Sequence, residues 1–99
     1  MTAKAYWVAH VTVTDPDLYA AYRQAAAPAI AAGGGVIRVL AGEQITGAGN
    51  ARPQTVVVEF PSFDAARTCY FGEAYQATVA QRDAGAEVDL VIVEGVMPS

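Results

Sequence analysis

His10 and Glu59 are the side chains of this sequence best suited to do chemistry together. His10 is the single histidine and lies within the apolar run Tyr6–Val13, while Glu59 follows three valines, where an unpaired charge would be costly. A carboxylate beside an imidazole fixes the ring's tautomer and raises its basicity, which suits a general base acting on an acidic carbon or a phenol. The alternative is a structural hydrogen bond that satisfies both groups at a buried interface. The pair is therefore a candidate catalytic site with a structural alternative.

Tyr6 and Arg38 are candidate substrate-binding residues. Tyr6 shares the strand face of His10, and Arg38 could clamp a substrate carboxylate through two parallel hydrogen bonds. For Arg38 an ion pair with Glu59 or Glu94 is the favoured alternative. Other aromatic and sulfur-containing side chains are expected to pack in the core or at a cavity rim: Trp7, Tyr19, Tyr22, Cys69, Tyr70 and Tyr75.

The residue types argue against a metal, a haem or a nucleotide phosphate. The single histidine and single cysteine lie on different predicted elements, so one chain offers no closed ligand set. Gly33-Gly34-Gly35 follows a predicted helix and precedes a strand, whereas a phosphate-binding loop follows a strand and opens a helix. We therefore expect no bound metal and no cofactor.

Composition restricts the classes of partner. The chain has 99 residues and a net charge of −4, and its six basic residues form no run, which argues against nucleic acid. It contains no apolar run long enough for a membrane span and no recognisable signal peptide, and the lone cysteine is typical of a reducing compartment. We expect a single domain over residues 1–99 in the cytoplasm.

Four strands and two helical regions should position the candidate residues. Asp15-Pro16 is a helix-entry signal, the glycine run at residues 33–35 ends that helix, and Ser62 can cap a second one. The predicted strands are residues 6–13, 36–40, 55–60 and 88–94, with a further short strand at residues 44–46. The predicted helices are residues 16–32, 62–71 and 73–84.

This order predicts an α+β fold, the ferredoxin-like β-α-β-β-α-β sandwich with helices on one face of the sheet. Strand alternation places Trp7 and Val58 beneath the helices, and Tyr6, His10 and Glu59 on the open face. We expect the first and third strands to be adjacent and parallel, which would bring His10 and Glu59 within side-chain reach.

The open face should be covered by a second copy of the chain. It exposes Tyr6, Val8 and Val57. Ile92 is assigned to it as well, although the polarity of the last strand does not distinguish its two faces. In addition, 21 of the 99 residues are alanine, which gives a lone monomer a thin core. We therefore expect a homodimer joined through this face.

The whole chain, from Ala5-Tyr6-Trp7-Val8 to Glu94-Gly95, resembles the domain-of-unknown-function 1330 family. The resemblance is carried chiefly by Asp15-Pro16, Val58-Glu59-Phe60-Pro61-Ser62 and Glu73-Ala74-Tyr75-Gln76. It implies a ferredoxin-like fold of the dimeric α/β-barrel superfamily and no established activity. Relatives elsewhere in that superfamily include cofactor-independent monooxygenases, lactone isomerases and haem-handling enzymes.

Two classes of function follow. The first is a cofactor-independent enzyme, monooxygenase-like or isomerase-like, that acts on a small organic substrate in the barrel interior. The second is a dimer without turnover, either binding a small molecule or serving a structural or accessory role. An open cavity containing His10 would favour an enzyme or a binding protein, and a filled interior would favour a structural role.

Overall fold

The computed structural model describes residues 2–98, and within them the chain forms four strands and four helices. In chain order these elements are β1 Ala5–Val13, α1 Pro16–Ala32, β2 Val36–Leu40, β3 Gln54–Phe60, α2 Phe63–Phe71, α3 Glu73–Gln76, α4 Val79–Gly85 and β4 Ala86–Glu94. The predicted α+β, ferredoxin-like order is confirmed. No helix within these residues combines the length and apolar character needed to cross a membrane.

The predicted helix signals are confirmed at both capping residues. Asp15 Oδ1 accepts hydrogen bonds from the backbone N–H groups of Asp17 and Leu18, at 3.1 and 3.2 Å, and Pro16 occupies the first turn. Ser62 Oγ accepts from the N–H of Ala65 at 3.0 Å. Both side chains satisfy donors that a helix leaves free at its start.

Besides shifts of one residue at the ends of elements, the structure differs from the sequence prediction in three places. Residues 41–53 contain no strand, so the short strand predicted at 44–46 is wrong. The predicted helix at 73–84 is divided into α3 and α4, because the Thr78 side chain donates to the carbonyl of Tyr75 and the chain turns there. β4 begins at Ala86, two residues before the predicted start, because β1 is long enough to pair with it to Val13.

The sheet has the order β2-β3-β1-β4, and each neighbouring pair is antiparallel. β1 and β3 are adjacent as predicted, but the prediction that they are parallel is wrong. The helical crossover of α1 makes β1 and β2 run the same way, and β3 lies between them. A strand that returns from β2 and inserts beside β1 must oppose both.

Strand alternation is confirmed as the guide to the two faces of the sheet. The core lies between the sheet and the helices and contains Trp7, Val11, Val58 and Phe60. Ile92 pairs with Trp7 and packs against this core, so its predicted place on the open face is wrong. Val91 and Val93 occupy the open face of β4 instead.

Candidate functional site

The structure separates the predicted catalytic pair. His10 lies opposite Thr55 of β3 and Asp89 of β4, whereas Glu59 lies opposite Tyr6. Four residues of strand separate the two positions, which is roughly 13 Å. Both residues lie on the open face as predicted, but the predicted contact is wrong because β1 and β3 run in opposite directions. His10 and Glu59 therefore do not form a general-base pair within one chain.

Glu59 belongs instead to an ion pair with Arg38. Its Oε2 accepts from Arg38 Nε at 2.9 Å and Nη2 at 2.8 Å, and the Tyr6 hydroxyl lies 3.4 Å from Oε1. A β-bulge between Ile37 and Val39 shifts the register of β2 at Arg38. The alternative predicted for Arg38, an ion pair with Glu59, is confirmed. The side chains of Tyr6, Arg38 and Glu59 thus provide hydrogen-bond partners for one another.

The hydrogen bond from Arg38 is the main reason that the pKa of Glu59 lies below the ordinary glutamate value; partial burial works in the opposite direction. Because this pKa is lower in the folded state than the ordinary value of 4.5, the ionised Glu59 stabilises the fold at pH values above 4.5. The stabilisation is lost as the pH falls through the folded-state pKa. We therefore expect Glu59→Gln to be less stable than the wild type at neutral pH, and the difference to disappear in acid. Urea unfolding at pH values on both sides of this transition checks it.

The matched control is Glu43→Gln, because Glu43 is exposed in the segment 41–53. It should leave the pH dependence of unfolding unchanged. If the Glu59 variant and the wild type lost the same stability on acidification, the ion pair would contribute nothing to the fold.

A cavity of about 420 Å³ lies on the opposite side of the sheet, beneath α1. Its walls are mainly apolar and come from β1, β2, β3, β4 and α1, including Ala26, Ile30, Leu40, Val56 and Leu90. α1 packs mainly against α4, and the alanines on its inner side are too short to fill the space above the strands. Ile37 and Leu40 stay 39% and 45% exposed although they face the helix layer. This is a ligand-sized space, and it lies outside the face where a site was predicted.

Part of the cavity lining is a group of tyrosine hydroxyls that are hydrogen-bonded to one another and to the guanidinium of Arg82. The hydroxyls of Tyr22 and Tyr75 are 2.7 Å apart, and Arg82 Nη1 donates to the hydroxyls of Tyr75 at 3.3 Å and Tyr70 at 3.1 Å. Arg82 is only 8% exposed and its Nε donates to Asp83 at 3.0 Å. We name Tyr22, Tyr75 and Arg82 the polar cluster; all three line the cavity.

Burial and hydrogen bonding set the charges of the polar cluster. Burial, with a smaller contribution from Tyr75, raises the pKa of Tyr22 far above the usual tyrosine range, so this hydroxyl keeps its proton. Burial opposes the charge of Arg82, but its hydrogen bonds to two tyrosines and to Asp83 outweigh that effect and raise its pKa. The cluster therefore presents the Arg82 cation beside the protonated hydroxyl of Tyr22.

Sequence reasoning placed Tyr22 and Tyr75 in the core or at a cavity rim, and the structure confirms this for both. It did not select Arg82, which looked like one of six scattered basic residues. A signal was present in the tyrosines at positions 70 and 75, which precede Arg82 by about three and two helical turns. That spacing indicates a shared face only if the helix is continuous, and here it is divided.

Neither His10 nor Glu59 lines the cavity, and the same holds for Tyr6 and Arg38. Within residues 2–98, no group of three or more histidine, cysteine or acidic side chains is arranged to hold a metal ion. Cys69 is half-buried, and burial raises the pKa of its thiol, which disfavours the reactive thiolate. The cavity thus offers apolar walls, phenols and guanidinium groups as its chemistry.

Three solved structures illustrate the similarity of this fold to known ones over nearly the whole chain. A protein of unknown function from Rhodopseudomonas palustris is 18% identical, with a TM-score of 0.73 over 99% of this chain and 86% of that one. SnoaB, a cofactor-independent oxygenase from Streptomyces nogalater, is 15% identical, with a TM-score of 0.69 over 98% of this chain and 97% of its own. A conserved protein of unknown function from Bacteroides thetaiotaomicron is 11% identical, with a TM-score of 0.65 over 96% and 100%.

At these identities the similarity establishes the fold alone, and it agrees with the ferredoxin-like fold that the sequence resemblance implied. No curated protein matches the sequence significantly. A family model matches residues 4–96, almost the entire chain, and its description is domain of unknown function (DUF1330). The chain therefore belongs to the DUF1330 family.

Proposed function

We propose that this protein binds a small, largely apolar organic molecule in the cavity beneath α1. The observation that carries the proposal is the cavity itself: about 420 Å³ of space walled by aliphatic and aromatic side chains, with a polar cluster among its lining residues. Pockets of this size and composition are typical of small-molecule sites. The proposal moves the site from the predicted barrel interior to the helix side of the sheet.

The polar cluster is held in place by packed aromatic rings. Tyr75 is 1% exposed and its ring meets that of Trp7 edge to face, with centroids 4.8 Å apart. Trp7 is itself fixed, because its indole Nε1 donates to the carbonyl of Ala66 at 2.9 Å. These buried, mutually packed rings hold the polar cluster in one position before a ligand binds.

A second candidate is cofactor-independent oxygenation, which the structural similarity to SnoaB supports. In such a reaction the protein's task would be to hold the substrate and to stabilise negative charge on a substrate oxygen. Arg82 and the hydroxyls of Tyr22 and Tyr75 suit that task. Among the described residues, 2–98, no carboxylate or imidazole lines the cavity, so the proton would have to leave from a substrate that is already acidic. Oxygen uptake with a bound phenolic substrate separates this candidate from simple binding.

We also propose that the open sheet face joins two copies into a homodimer. Val39, Val57, Val8 and Val91 lie in register across all four strands and form a row that we call the valine row. On either side of it run rows with polar members, one containing Glu59 and the other His10. An apolar centre with a polar rim is the usual anatomy of a protein interface.

The expected cytoplasmic location remains part of this proposal. It is supported by cysteine usage, since Cys69 is the single cysteine of the chain and cannot form a disulfide within it.

Filling the cavity from α1 tests the binding proposal. Ala27 is exposed on α1 and lines the cavity, so Ala27→Phe should occupy the space and weaken the binding of a neutral probe such as 2-naphthol by about tenfold or more. Calorimetric titration measures the affinity, and amide chemical shifts of Ala26 and Ile30 locate the bound probe.

The matched control is Ala25→Phe, which adds the same side chain to an exposed α1 position outside the cavity lining. It should leave the affinity unchanged. Equal weakening by both variants, or shifts confined to the open sheet face, would place the ligand elsewhere and refute the proposal.

A further inference from the structure

The charged side chains that line the cavity are all of one sign. Arg23 and Arg82 line it, and no aspartate or glutamate does, although the chain carries ten acidic residues, six basic ones and a net charge of −4. A third of the chain's basic side chains thus surround one apolar space. We propose that the ligand of this cavity carries an anionic oxygen, a carboxylate or phenolate, which the two arginines hold in its ionised form. This inference rests on the proposed binding function.

A count of the hydrogen-bond donors in the polar cluster indicates that the ligand carries an acceptor. Tyr22 and Tyr75 have two hydroxyl hydrogens, and the bond between their oxygens uses one of them, whichever residue donates. Arg82 donates to Tyr75 and so uses none. Within residues 2–98 neither hydroxyl donates elsewhere, so one hydrogen of the pair stays available to a ligand oxygen. Burial raises the pKa of Tyr22, so the Tyr22 hydroxyl keeps its proton at neutral pH.

Arg82 has a further donor to offer. Its Nε and Nη1 are committed to Asp83 and to the tyrosine hydroxyls, while Nη2 makes no hydrogen bond within residues 2–98. No fully buried side-chain nitrogen or oxygen in that part of the chain lacks a partner, so Nη2 is not sealed off. A ligand carboxylate could accept from Nη2 and from the tyrosine pair together, and charge-assisted bonds of this kind are the strong ones.

Asp83 does not cancel this positive charge. It lies outside the cavity lining and its side chain is 57% exposed, so water screens it. Arg23 adds a second charge from the exposed side of α1 and forms no ion pair within residues 2–98. Its influence reaches the cavity, since it partly offsets the rise that burial causes in the pKa of Tyr19.

A pair of probes with matched shape tests the inference. 2-Naphthoate is anionic at pH 7, and 2-naphthamide is a neutral compound of nearly the same size. Calorimetric titration of the wild-type protein at low salt should show a preference for the acid of about tenfold or more, which added salt reduces.

Three variants assign the preference to its source. Arg23→Gln should reduce the preference several-fold, chiefly by weakening the binding of the acid, and Arg82→Met should abolish the preference. Arg82 is buried, so removing it also costs stability, and a second variant that keeps the charge is needed. Arg82→Lys should retain part of the preference, with circular dichroism used to show that its fold is intact. The control is Arg67→Gln, which removes the same charge from an exposed Arg67–Asp64 ion pair on α2 and should change nothing.

Equal affinities for the acid and the amide would overturn the inference about charge and leave the binding function standing. Failure of both compounds to bind would overturn the inference and the proposed binding function together. A preference that Arg67→Gln reduces as much as Arg23→Gln would show a general effect of net charge and would also overturn the assignment to the cavity.

Discussion

Val57→Asp should abolish the proposed homodimer and leave a monomer. Val57 lies at the centre of the valine row, between Val39 and Val8, and it remains half-buried in the isolated chain. In the proposed dimer, each chain would bury one such aspartate against the other chain. Each carboxylate would lose its hydration without gaining a hydrogen-bond partner, at a cost of several kcal/mol. Light scattering coupled to size-exclusion chromatography should give twice the chain mass for the wild type and the single mass for the variant.

The matched control is Thr68→Asp, which adds the same charge to an exposed position of α2 on the helix side. It should remain dimeric. The valine row itself contains Val91, which is 59% exposed in the single chain, and an apolar surface of this kind is unusual on a protein that stays alone. A monomeric mass for the wild type at micromolar concentration would refute the dimer.

Gly85→Ala should cause a large loss of stability although it adds only one methyl group. A Cβ at Gly85 would lie 2.6 Å from the backbone nitrogen of Tyr19 and 3.0 Å from two further backbone atoms of α1. Gly85 cannot retreat easily, because its carbonyl accepts from the N–H groups of Thr14 and Asp15 at 2.9 and 3.0 Å. We expect a loss of about 3 kcal/mol in the free energy of unfolding, which is a fall of roughly 12–24 °C in Tm for a domain of this size.

Gly47→Ala is the control, since a Cβ added at Gly47, in the segment 41–53, would meet no atom beyond its chain neighbours within 4 Å. Its effect should stay within about 0.5 kcal/mol. Thermal unfolding followed by circular dichroism compares the two. A Gly85 variant as stable as the wild type would mean that the first turn of α1 can move away from α4 at little cost.

Local signals in the sequence were sufficient for most elements of the fold. Asp15 and Ser62 carry side-chain oxygens that can accept from the free N–H groups of a helix's first turn, and the structure uses both in that way. Alternation in β1 and β3 assigned Trp7 and Val58 to the helix side because neighbouring side chains of a strand must point to opposite faces. These are properties of a few adjacent residues, so no long-range information was needed.

Alternation does not determine which residues face one another across two strands. His10 and Glu59 were correctly assigned to the open face, yet they lie four register positions apart. Strand direction and register depend on how α1 crosses the sheet and where β3 inserts. Both are determined by contacts between distant parts of the chain. The ion pair between Glu59 and Arg38, by contrast, was one of the predicted alternatives, because the two side chains carry opposite charges.

The sequence by itself thus determined most of the elements and the faces of the sheet, and it argued against nucleic-acid chemistry, because these follow from residue type and short spacing. The tertiary structure alone decided the position of the candidate site. Small alanines on α1 look like ordinary helix formers in the sequence, and they enclose a cavity only when the helix is held above the strands by α4. Arg82 likewise looks solvated until folding surrounds it with Tyr70 and Tyr75, because burial is a property of packing between distant segments.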